Sequence, residues 1–162
     1  MDLKTVYFDE PGSENTEAVL RIARQRADEL GIKKVVVAST SGDTAVKAMD
    51  VFRGLKVIAV SHVTGFRAPN TQEFTEENRR IVESKGGVVV TAAHAFAGLS
   101  RALRHKHDMY LLGEMVADTL RIFGEGMKVA CEGADTAIVL ASVNTHRLFD
   151  LKVKEILCKP HF

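Results

Sequence analysis

Apolar residues along this chain follow two rhythms. Val35, Val36, Val37 and Ala38 form an unbroken run between Lys34 and Ser39, the pattern of a parallel strand covered on both faces. Val57 to Val60 and Val88 to Val90 repeat it. Between these runs the spacing turns helical. Val19, Ile22, Ala23, Ala27 and Leu30 recur at helical intervals, with Asn15 as N-cap and Gly31 as stop. Residues 45–52 predict a second helix, and Thr75 caps a polar one reaching about residue 85. A short helix over 95–105 follows, then a longer one over 112–131 with Val116, Leu120, Phe123, Met127 and Ala130 as its buried stripe. Gly124 and Gly126 interrupt that helix. Each costs about 1 kcal/mol against alanine, so they mark a kink or close packing. Residues 5–8, 137–141 and 151–158 read as further strands, the last at an edge. This alternation predicts an α/β domain of three layers, a mostly parallel sheet with helices on both faces and one edge strand antiparallel.

Composition narrows the function classes. A length of 162 residues predicts one domain, 1–162, with a sizeable core. Its 22 basic and 21 acidic side chains leave a net charge of +1. With no run of Lys or Arg, nucleic-acid binding is not expected. No apolar run approaches a bilayer span, and the N-terminus lacks the pattern of a signal peptide. Cys131 and Cys158 stand far apart. Inert thiols in a reducing cytoplasm are the expected reading.

The candidate chemistry lies where strands end. Ser39, Thr40, Ser41, Gly42, Asp43 and Thr44 join the Val35 strand to the next helix. Small hydroxyl residues and a glycine at a helix start leave backbone N–H groups free at a positive dipole end, which suits a phosphate. A helix start merely capped by hydroxyls explains the same composition. The loop has no P-loop lysine, so affinity rests on amides and dipole, and Asp43 must point away from any bound anion. Asn15 and Thr16 open a helix at the same sheet edge, and His62, Thr64, Gly65 and Phe66 leave the Val57 strand there.

Several motifs carry a family resemblance. The run V-V-A-S-T-S-G-D-T-A from Val36, followed by L-K-V-I-A-V-S from Leu55, resembles the C-terminal α/β domain of pyruvate kinase. P-G-x-x-N-T-E at Pro11, T-G-F at Thr64, G-x-K-V at Gly126 and G-A-D-T-A at Gly133 are similar to small stand-alone proteins built from that domain. The resemblance implies that fold. It also implies flavin mononucleotide (FMN) as ligand, its phosphate on the 39–44 loop. Thr64 and the Gly65 amide would then lie beside the flavin ring, with Phe66 or His62 packing on it. One departure stands out. Relatives carry a further helix-and-strand unit of about thirty residues before the G-A-D-T-A motif. Here Cys131 and Glu132 run straight into Gly133, so a strand of the sheet is expected to be missing.

No metal site is expected. His105 and His107 splay on a helix, and the remaining histidines match no ligand spacing. No G-x-S-x-G elbow is present, and without pyruvate kinase's barrel the chain is not expected to act as a kinase. Three functions remain open: a domain that binds a small phosphorylated ligand, an enzyme using FMN or a phosphometabolite, and a regulatory or assembly module forming a homo-oligomer.

Overall fold

The computed structural model describes residues 5–94, 96 and 98–143. Three parallel strands, β1 (Lys34–Ala38), β2 (Lys56–Ser61) and β3 (Val88–Thr91), lie side by side in that order. Val36 pairs with Ile58, and Ile58 with Val88. The helices are α1 (Thr16–Leu30), α2 (Asp43–Val51), α3 (Glu76–Ser84), α4 (Gly98–His107), α5 (Leu112–Arg121) and α6 (Glu125–Val143). Because the strands advance in one direction, crossovers of one hand put α2 and α3 on the same face.

Strand periodicity sorts the valines. Val35, Val37, Val57 and Ala59 pack against Leu20, Ala27, Ala45, Ala48, Met49 and Val82 from α1, α2 and α3. Val36, Ile58, Val60 and Val90 face the other way and meet Ala137 of α6. Helices thus cover both faces, as the unbroken apolar runs require. Gly31 ends α1 in the left-handed conformation at φ 67°. Thr75 caps α3 by accepting from the Asn78 amide at 3.2 Å.

Four expectations change. Residues 5–8 form no strand and pair with none of the three strands, and Tyr7 is 90% exposed. Asn15 ends a short 3₁₀ turn (Ser13–Asn15), and its side-chain amide donates to the Glu10 carbonyl instead of capping α1. The long helix expected over 112–131 is two helices, broken where Gly124 takes φ 103°. Residues 137–141 are not a strand but lie within α6. A short apolar run fits either element. With no turn between Val129 and Gly133, helical hydrogen bonding propagates straight through it. The expected strand over 151–158 lies outside the described residues.

Ile58 has 0% exposure at the centre of the α6-facing layer. Ile58→Ala is expected to lower unfolding free energy by about 2–5 kcal/mol in urea denaturation, with the slope unchanged.

Candidate functional site

The turn from β1 into α2 is clamped from behind. The Ser41 carbonyl accepts from the Thr75 amide and from Asn78 Nδ2, both at 3.1 Å. Gly42 adopts φ 102°, and a Cβ there would lie 2.6 Å from Asn78 Cβ and 2.8 Å from the Phe74 ring. Only glycine fits that close approach. The amides of Thr40, Ser41 and Gly42 find no acceptor among the described residues, and Thr40 and Ser41 line the space in front of the clamp. Ser39 Oγ accepts from the Ala45 amide at 3.3 Å, and the Asp43 amide donates to Ser41 Oγ at 3.3 Å.

Asp43 is engaged sideways. Ser41 Oγ donates to its Oδ2 at 2.6 Å and Asn78 Nδ2 to its Oδ1 at 3.0 Å. The hydroxyl of Ser41, with Asn78 next in weight, holds its carboxyl below the usual carboxylate range. Asp43 is therefore an anion tied to the clamp.

A cavity of about 1130 Å³ opens before this turn, large enough for a small-molecule ligand. Thr16, Ser39, Thr40, Ser41, Asp43 and Thr44 line one side, with His62 and Phe66 beside them. Asn15, Gly42, Thr64 and Gly65 are not among its walls. Gly42 lies behind the loop, while the Gly65 amide donates to the Thr71 carbonyl at 2.8 Å and Thr64 Oγ1 accepts from Gln72 Nε2.

The fold brings in residues that the sequence did not single out. Lys47 stands one turn into α2, while Arg101 of α4, Arg121 of α5 and Lys128 of α6 complete the wall. Arg121 is paired with Asp118 and Glu125, each at 2.7 Å. Lys47 and Arg101 form no ion pair among the described residues. Arg101 lies over the Phe66 ring at 4.2 Å, and Phe66 contacts the His62 ring at 4.2 Å. Helical periodicity could have flagged Lys47. Nothing local to Arg101 or Lys128 tells where they end up.

Residues 17–149 match the family described as pyruvate kinase, alpha/beta domain. The chain belongs to that family. Among solved structures, the NAD+ synthetase of Burkholderia pseudomallei aligns with 15% identity and a TM-score of 0.35. That alignment covers 80% of this chain and 57% of the synthetase, so the chain spans less than two thirds of that protein. At this TM-score the likeness carries no argument.

Within this pyruvate kinase-type α/β domain, His62, His94 and Glu132 add polar groups to the cavity lining. His62 Nδ1 lies 2.8 Å from Glu73 Oε2, and its ring meets that of His94 edge-on at 6.0 Å. His94 Nδ1 makes a long 3.4 Å contact with Thr136 Oγ1. Among the described residues no three His, Cys, Asp or Glu side chains are arranged to hold a metal ion.

Burial pushes His94 below its ordinary 6.5; Glu132 opposes that shift, while His62 and Lys128 add to it. As pH falls the unfolded chain takes up the proton first. The stability tied to neutral His94 is complete above pH 6.5 and is lost as pH drops through the folded value. An NMR titration should put the His94 midpoint under 6.5; one at or above 6.5 would contradict the burial argument.

Proposed function

We propose that this domain binds a small phosphorylated, nucleotide-like ligand, with its phosphate on the 39–44 loop and FMN as the ligand. One observation carries this reading: the Thr40 and Ser41 amides, without acceptors among the described residues, border a cavity that also holds Lys47 and Arg101, which form no ion pair among those residues. Amides at a helix start with nearby cations favour a phosphomonoester. Thr40 and Ser41 would supply main-chain donors, Ser39 and Thr44 hydroxyls, and Lys47 and Arg101 charge. Thr16 lines the same wall. Phe66 and His62 offer the aromatic surface beside which a flavin ring would pack. Asp43 is compatible with a bound phosphate because Ser41 and Asn78 already occupy its oxygens.

The binding role needs no reaction, and no nucleophile is invoked for it. Asn15, Thr64 and Gly65 have no direct part in this reading, and Gly42 acts by letting the loop approach Phe74 and Asn78.

The test is titration calorimetry with FMN and riboflavin. FMN is expected to bind more tightly than riboflavin, and Lys47→Met should weaken FMN about fivefold while leaving riboflavin unchanged. A folded protein that binds neither FMN nor inorganic phosphate would refute the reading.

Exposed Leu112, Ile122 and Phe123 on and beside α5 favour a second reading, an assembly module. It predicts a discrete oligomer in sedimentation velocity that Ile122→Lys with Phe123→Lys dissociates. A monomer at all concentrations would dismiss it.

A further inference from the structure

The cavity wall built by α6 contains an ion pair that is nearly out of water. Lys128 Nζ lies 2.5 Å from Glu132 Oε2, and their side chains are 9% and 5% exposed. The spacing of four along one helix brings them together. Both residues line the cavity, one turn apart, with Val129 and Gly133 between and beside them. Glu132 Oε1, however, is buried and has no hydrogen-bond partner among the described residues. Leaving a buried acceptor in that state is costly, the more so when it is charged. Lys128 Nζ likewise has N–H groups beyond the one directed at Glu132.

The neighbourhood has the same character. The Thr136 hydroxyl donates to the Glu132 carbonyl at 2.8 Å, so its oxygen is left to accept from His94 Nδ1. Acceptors and one shared ammonium therefore gather on the wall away from the phosphate loop.

We propose that this α6 wall is a second recognition pole, where Glu132 and Lys128 bind an uncharged hydroxyl or N–H group on the far part of the ligand. The proposal rests on the phosphate reading above and names the ligand class of that same cavity. It is a phosphomonoester of a polyol or nucleoside, with one anionic end only. A hydroxyl satisfies both partners, since it donates to Glu132 Oε1 while accepting from Lys128 Nζ. An imide edge, with N–H beside C=O, does the same. A second phosphate does not, because the carboxylate repels it and the ammonium is already neutralised. Oε1 is shielded in the closed pair, so contact requires the Glu132 carboxylate to move out toward the cavity by a change of side-chain rotamer.

Three probes test the pole by calorimetry: methyl phosphate, ribose 5-phosphate and ribose 1,5-bisphosphate. Ribose 5-phosphate is expected to bind about tenfold more tightly than methyl phosphate, the value of one charge-assisted hydrogen bond. Lys128→Met with Glu132→Leu, which removes the pair without stranding either charge, should shrink that ratio to about twofold or less with methyl phosphate affinity unchanged. Should the double variant not fold, Glu132→Gln replaces it, with the ratio expected to fall about threefold or more. Equal affinity of the two monophosphates for the native protein overturns the proposal. So does a ratio that survives in the variant, or a bisphosphate that binds more tightly than the monophosphate. If no phosphate ester binds the native protein, the loop reading fails, and riboflavin then reads the pole by itself. Riboflavin binding that disappears in the double variant upholds the pole; riboflavin binding that persists there, or is absent from the native protein, removes it as well.

Discussion

The junction between β1 and α2 constrains everything in front of it. For the chain to leave the strand and start a helix within five residues, Gly42 must take a positive φ with α3 pressed against its back. Phe74 fills the space a side chain would need, while Thr75 and Asn78 hold the Ser41 carbonyl. The clamp uses up the rear of the loop, and Thr40 and Ser41 border the cavity in front of it. A flexible loop would lose those donors to water; a loop fixed by a neighbouring helix keeps them in place.

Charge around the cavity is arranged by sorting more than by excess. Asp43 is bound to Ser41 and Asn78, Arg121 to Asp118 and Glu125, and Lys128 to Glu132. Lys47 and Arg101 form no ion pair among the described residues. A chain with net charge of +1 can thus offer a locally cationic wall without being a basic protein. The same sorting separates two chemistries in one cavity, donors near the loop and acceptors on α6.

Helix α6 also explains how this member of the pyruvate kinase α/β domain family differs from what its motifs imply. G-A-D-T-A follows Cys131 and Glu132 with no intervening turn, and the whole stretch continues as helix. Ala137 then covers the sheet face formed by Val36, Ile58, Val60 and Val90, rather than extending the sheet sideways. Lys128, Glu132 and Gly133 reach the cavity because that helix is unbroken.

Local pattern alone was sufficient for the α/β layering, for the three valine-rich strands and for the glycine-bearing bend after β1. Each follows from periodicity, propensity or backbone freedom over a few residues. It was insufficient for residues 137–141, whose apolar run suits strand and helix equally until the absence of a preceding turn decides. Residues 5–8 likewise read as a strand, yet strand formation depends on a neighbour to pair with. Helical spacing could flag Lys47 and pair Lys128 with Glu132, but that they face one cavity with Arg101 was beyond any local reading. Arg101, Lys128 and Thr40 come together only when α4, α6 and the β1 turn pack around one space. Long-range proximity is a property of the packed layers, not of the spacing between residues in the chain.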